Sequence, residues 1–211
     1  MLFDFATLST KDRYKLMVST IVPRPIAWIV SEAADGTLNA APYSFFNAFS
    51  DDPPMIAIGI GGRPGGGLKD SSQNIRDAGE FVVNLVSEET ARAMVVTAID
   101  FPPEVDEIAE AGLTTAPSSF VRPPRIAESP VALECVRHDT VELPNDRALV
   151  LGRVVAIHVR DDAVLDQARC YIDTPKLNLV GRMHGGGWYA RMTDRFEVPR
   201  IPVAEWKKAA E

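Results

Sequence analysis

Five short apolar runs, each stopped by proline, glycine or a polar turn, constrain this chain most. Ile26–Val30, Met55–Ile60 and Phe81–Val86 are only five or six residues long. That suits a buried strand, whereas a core helix needs about ten residues or more. Val131–His138 and Leu149–Val159 are separated by a polar segment containing Pro144 and Asn145-Asp146, the composition of a hairpin connection. Asp35-Gly36 marks another turn, so residues 26–45 form a hairpin whose returning strand is Asn39–Phe45. Helical signals are few. Ser9–Met17 has helical or turn character, and Ser71–Ala78 reads as a short helix capped by Asp70 or Ser71. Ser87 opens a stronger helix to Ile99, with Ala91, Met94, Val95 and Ala98 on one face, and Glu104–Gly112 a short acidic one. The sum is about five to seven strands with few helices between them, a mainly β fold that favours a barrel over a doubly wound sheet.

The length and a 46% hydrophobic content support one sizeable core, so residues 1–211 are expected to form a single domain. A formal charge of -7 opposes a broad nucleic-acid or anionic-membrane footprint. Cys135 and Cys170 belong to no Cys-x-x-Cys pair and are expected to sit reduced in strands. Three histidines without ligand spacing point to no metal site. The first ten residues lack a basic region leading into a long apolar core, and no run is long enough to span a membrane. A cytoplasmic location is the expectation.

Two glycine-rich readings fail on spacing. In Gly59-Ile60-Gly61-Gly62-Arg63-Pro64, proline occupies the place of the third glycine of a dinucleotide fingerprint. Counting a P-loop from Gly62 requires lysine directly after Gly67, but Leu68 stands there. Lys69-Asp70-Ser71-Ser72-Gln73-Asn74 carries more chemistry. It places a cation, hydroxyls and an amide where a helix begins, as phosphate binding requires, and it is equally an ordinary helix start. Tyr43-Ser44-Phe45-Phe46-Asn47 mixes donors with phenyl rings, which suits a planar heterocycle with polar edges, and it also reads as an aromatic core strand.

The order of five motifs adds to these readings. Pro-Arg-Pro-Ile-Ala-Trp-Ile-Val (23–30), Asn-Ala-Ala-Pro-Tyr-Ser-Phe-Phe-Asn (39–47), Asp-Pro-Pro (52–54), Lys-Asp-Ser-Ser-Gln-Asn-Ile (69–75) and Glu-Phe-Val-Val-Asn-Leu (80–85) follow one another. This series resembles the flavin reductase-like, FMN-binding split-barrel family over roughly residues 20–160, leaving 161–211 as a C-terminal extension. The resemblance implies a homodimeric split β-barrel of Greek-key type with FMN near the subunit interface. It also implies NADH- or NADPH-dependent flavin reduction, with electrons passed to an acceptor or partner monooxygenase. An electron carrier or sensor, or a reductase of one organic substrate on tightly held FMN, remains an alternative, as does FAD in place of FMN. Carried over by position, Ser44, Phe45, Phe46 and Asn47 line the isoalloxazine, while Lys69, Ser71 and Asn74 hold the phosphate. Arg24 either reaches the phosphate or ribityl chain or is a surface charge opening the strand. His184, in the loop Gly181–Tyr189, either approaches the flavin or nicotinamide together with Arg182 and Trp188, or belongs to a turn that tucks Trp188 into the core.

Overall fold

The computed structural model describes residues 1–102 and 105–208, with Glu104, the expected start of the acidic helix, outside them. Helix α1 (Thr10–Thr20) precedes β1 (Ala27–Glu32), β2 (Leu38–Tyr43), β3 (Phe46–Asp51) and β4 (Pro54–Ile60). Helix α2 (Asp70–Ala78), β5 (Glu80–Leu85), α3 (Ala91–Val96) and α4 (Glu107–Glu110) follow, then the two-residue strands β6 (Thr115–Ala116) and β7 (Arg125–Ile126). The long hairpin β8 (Val131–Leu143) and β9 (Arg147–Val159) comes next. Short strands β10 (Val164–Asp166), β11 (Tyr171–Ile172), β12 (Val180–Arg182) and β13 (Tyr189–Arg191) lead to α5 (Val203–Lys208).

Seven of these strands form one antiparallel sheet in the order β2-β1-β5-β8-β9-β4-β3. Its two edge strands, β2 and β3, are consecutive in the chain with only Ser44 and Phe45 between them. The sheet therefore curls until its edges meet at that corner, where the Gly59 N–H donates to the Phe45 carbonyl at 2.7 Å. Curling gives every strand an inner face. Ala27 and Ile29, Ile56, Ile58 and Ile60, and Phe81 and Val83 alternate into the barrel with Cys135 and Val150. Each such fully buried aliphatic or phenyl side chain contributes about 1.5–3 kcal/mol relative to an exposed one. Gly152 is part of this fit, because a Cβ there would lie 2.6 Å from Phe81 Cζ.

Strand β1 is buried on both faces. Trp28 and Val30 point outward beneath Met94 of α3 and Ile108 of α4, which is why β1 reads as a continuous apolar run rather than an alternating one. The Trp28 indole donates to Thr97 Oγ1 at 2.9 Å and fastens the end of α3.

Several sequence expectations need correction. The returning strand ends at Tyr43, the chain turns at Ser44-Phe45, and residues 46–51 form β3, a strand hidden by a continuous aromatic pattern. Helix α2 starts after Lys69 and has no side-chain cap; Asp70 lies inside it and pairs with Arg63. Helix α3 is shorter than expected and begins after Thr90, whose Oγ1 accepts the Ser87 N–H at 3.1 Å. Cys135 is buried in β8, but Cys170 is exposed in a turn with φ of 55°. Among the described residues, no helix is long and apolar enough to cross a membrane.

Candidate flavin site

Three neighbouring cavities run along β2 to the corner that closes the barrel. The first, about 320 Å³, lies between β2 and the start of α2 and is lined by Asn39, Pro42, Tyr43, Arg63, Lys69, Ala98 and Glu107, among others. A second, of about 360 Å³, shares Pro42, Tyr43 and Ala98 and adds Ile26, Ser44, Met94, Val95, Arg182, Gly187 and Tyr189. The third, about 270 Å³, shares Ser44 and brings Arg24, Phe45, Phe46 and Asn47 together with Met17 and Ile21. Six of the expected site residues thus line one run of cavities.

The first cavity is lined by charges of both signs, Arg63 and Lys69 with Asp70, Asp100 and Glu107. Among the described residues no side chain caps the first-turn amides of α2, and the helix dipole adds partial positive charge there. Arg63 is tied to Asp70, while Lys69 meets no carboxylate among the described residues. Tyr43 Oη is buried beside Ser71 without a hydrogen-bond partner of normal geometry, and burial pushes its pKa up to about 12. It stays a neutral phenol. Burial likewise raises the Glu107 carboxyl above its ordinary range, against the Ala40 N–H that donates to it at 3.3 Å. Ser71 and Asn74 are buried rather than open to the cavity: Ser71 Oγ accepts from Asn39 Nδ2 at 2.8 Å, and Asn74 Nδ2 donates to Ser31 Oγ at 3.2 Å. They fix α2 against β1 and β2.

Arg24 is not a surface charge; it is 6% exposed. Its guanidinium donates to the carbonyls of Val18 at 2.9 Å, Ile21 at 2.7 Å and Met183 at 2.9 Å, with a longer contact to Ser44 Oγ at 3.4 Å. It therefore joins the end of α1, the loop after β12 and the barrel corner. Burial depresses its pKa; Tyr14 opposes that effect and the charge of Arg182 adds to it. The β12–β13 hairpin stands at the second cavity through Arg182 of β12, Gly187 of the connecting loop and Tyr189 of β13. Trp188 is 65% exposed, so the expected tucking into the core does not occur; its indole stacks on His184 with ring centroids 6.2 Å apart.

A buried acid–imidazole pair lies in the long hairpin, away from the motifs that the sequence singles out. His158 Nε2 lies 2.5 Å from Glu134 Oε1, and the fully buried Glu134 also accepts the Ser119 and Phe120 N–H groups at 2.7 and 2.6 Å. Burial opposes the charge of Glu134, but these donors prevail and hold its pKa below the ordinary value. The only hint in the sequence was an acid amid an otherwise apolar strand.

A closed antiparallel barrel with an uncapped helix start and ring-sized cavities at its corner is the frame of a split-barrel flavoprotein. Residues 18–175 match the model of the flavin reductase like domain, and the chain belongs to this family of flavin-binding oxidoreductases. A solved 2-nitrobenzoate 2-nitroreductase, NbaA, of Pseudomonas fluorescens is 32% identical, with a TM-score of 0.87 over 96% of this chain and 97% of that one. Nitrilotriacetate monooxygenase component B from Bacillus cereus is also 32% identical, with a TM-score of 0.86 over 94% of this chain and 98% of its own. An uncharacterized protein of Deinococcus radiodurans is 42% identical over 98% of this chain and 92% of its own length.

Proposed function

We propose that this chain binds FMN along residues 39–47 and acts as an NAD(P)H-dependent flavin oxidoreductase. The observation that carries this reading is the phosphate-ready end of the cleft, where an uncapped helix start and an unpaired Lys69 lie beside the orphaned Tyr43 hydroxyl. These residues fit a flavin nucleotide, and one such anion site favours FMN over FAD. Lys69 and the first amides of α2 hold the phosphate, with Ser71 and Asn74 keeping that helix in place. Phe45 and Phe46 supply apolar walls. Asn47 Oδ1 accepts the Ala48 N–H at 2.8 Å, which leaves its amide nitrogen free to donate. With Ser44, it is positioned to stabilise negative charge on a bound ring. Bound FMN would supply the two-electron chemistry, taking hydride from a nicotinamide donor and passing electrons to oxygen, a partner monooxygenase or another acceptor. The protein's task is positioning and water exclusion, and no acid–base dyad is required in the cleft.

A homodimer belongs to the same proposal. It is supported by edge strand β3, whose Phe49 is exposed, and by Phe45 beside Tyr14 of α1 with ring centroids 6.4 Å apart. The free, exposed Cys170 suits a cytoplasmic location, where thiols stay reduced.

A second reading, reduction of one organic substrate on tightly held FMN, is favoured by a specific feature. Arg182, Gly187 and Tyr189 come from the C-terminal extension and wall a compartment contiguous with the flavin cleft. Anaerobic visible spectra with added FMN, before and after NADH and NADPH, test the main reading. Bleaching that saturates with one nucleotide supports the reductase; tightly bound flavin that neither nucleotide bleaches favours the second reading, and absence of flavin binding refutes both.

A further inference from the structure

The end of the long hairpin has an open edge. Strand β4 pairs with β9 only from Ala148 to Arg153, so residues 154–159 are bonded to β8 on one side and, among the described residues, to no strand on the other. The sequence there, Val-Val-Ala-Ile-His-Val, is apolar, and Ile157 is 58% exposed. An apolar edge with free N–H and C=O groups is a template for a further strand.

Two cavities meet at this edge, sharing Ile157, Val159 and Asp161. One, about 760 Å³, is otherwise mostly apolar, with Val164, Cys170 and Ile172 in its lining. The other, about 450 Å³, adds His158 from the opposite face of β9, together with Arg125, Ser129 and Arg160. Two of the charges are already served, His158 by Glu134 and Arg160 by Asp162. Two are not. Among the described residues Arg125 and Asp161 enter no ion pair, and Arg125 Nε is buried without a hydrogen-bond partner. Neither cavity shares a residue with the three along β2.

The segment after β13 has the complementary pattern. Among the described residues, 193–206 make no hydrogen bond or ion pair with the rest of the chain. Yet this segment carries Phe196, Val198, Ile201, Val203 and Trp206, all exposed, Phe196 by 91% and Val198 by 76%. A solvated tail is poor in such residues, and bare apolar surface of this kind marks a contact. In an extended strand Phe196 and Val198 fall on one face, Arg195 and Glu197 on the other. That matches the edge, which has Ile157 and Val159 on one face and unpaired Arg125 and Asp161 at the cavity reached by the other. Pro199 limits the stretch, because it has no N–H to give a ladder.

We propose that residues 194–198 of a second copy of this chain add as a strand to the edge of β9 at residues 154–159. Phe196 and Val198 of the arm seat against Ile157 and Val159, and its Glu197 and Arg195 meet Arg125 and Asp161. The occupant is a second copy because the chain's own arm leaves Phe196 and Val198 bare. The contact is separate from Phe49 on β3, and the arm lies beyond residues 18–175, which match the family domain.

Cys170 lines the apolar cavity and is exposed, whereas Cys135 is buried, so the chain carries its own reporter. Two differently tagged full-length chains are co-produced, one with Val198→Cys and Cys170→Ser and one with Cys170 intact, and treated with a short bismaleimide. A cross-linked pair of unlike chains is expected, absent when the second chain also carries Cys170→Ser and absent when Val141→Cys, at the other end of the hairpin, replaces Val198→Cys. Sedimentation equilibrium should show the dimer dissociation constant raised about tenfold in Phe196→Asp and in Ile157→Asp. Glu197→Arg and Arg125→Glu should each weaken the dimer and together restore it, which keeps the test sound if Ile157→Asp fails to fold in a thermal melt. Phe49→Asp reads the β3 contact separately. A link formed only within a chain holding both Val198→Cys and Cys170 overturns the proposal by seating the arm on its own chain. So does the absence of any link, or a dissociation constant unchanged in all the folded arm and edge variants.

Discussion

Arg24 offers the sharpest test of how the corner is held together. Its buried guanidinium serves three carbonyls from two distant segments, α1 and the loop after β12. Charge-assisted hydrogen bonds contribute about 1.5–3 kcal/mol each, and an unsatisfied buried acceptor costs about 1–3 kcal/mol. Arg24→Met keeps much of the stem's volume but abandons all three carbonyls. Water can reach some of them once the loop loosens, so the full sum is not expected. A net loss of roughly 3–5 kcal/mol follows. For a chain of this size that lowers Tm by roughly 6–20 °C. Arg24→Lys, with one ammonium in place of a fork, should fall between the two. Differential scanning calorimetry and urea unfolding of the apo-proteins give the numbers. A Tm drop below about 3 °C in Arg24→Met would falsify the bracing role. An unchanged Tm with FMN affinity lost would instead show that Arg24 works on the phosphate or ribityl chain.

Three further outcomes are expected. Lys69→Ala should weaken FMN binding about tenfold, with the residual affinity less sensitive to salt, as read by fluorescence titration at two ionic strengths; unchanged affinity removes Lys69 from the phosphate site. Gly152→Ala places a Cβ 2.6 Å from the buried Phe81 ring, and overpacking of this kind costs about 1–3 kcal/mol in urea unfolding. A wild-type midpoint would mean that β9 shifts freely. Its hydrogen-bond donors hold the Glu134 carboxyl below the ordinary glutamate pKa of 4.5 in the folded state, so its stabilising effect is present at neutral pH and lost as pH falls through its folded pKa. The stability gap between the parent and Glu134→Gln should therefore narrow below pH 4.5, and a gap constant with pH contradicts the assignment.

The chain's own sequence determined its class because the decisive signals are local. Strand β1 had to be an apolar run, since both its faces are covered. Lys69–Asn74 had to start a helix, and Pro144 with Asn145-Asp146 had to turn β8 into β9, where both polar residues adopt positive φ. Order of motifs was enough to place the chain in its family. The roles of individual polar residues were decided only by tertiary structure. The resemblance implies Ser71 and Asn74 as phosphate ligands, and the fold adds partners that the sequence does not show, Asn39 and Ser31, which lie 32 and 43 positions away. Arg24 reads from sequence as either a flavin ligand or a surface charge, and only the fold brings it the carbonyl of Met183, 159 positions later. The corner at Ser44-Phe45 is invisible to periodicity, because apolar side chains continue across it while the barrel's closure bends the backbone. A buried polar group takes whichever partner folding brings within about 3 Å, and local sequence spacing carries no record of that partner.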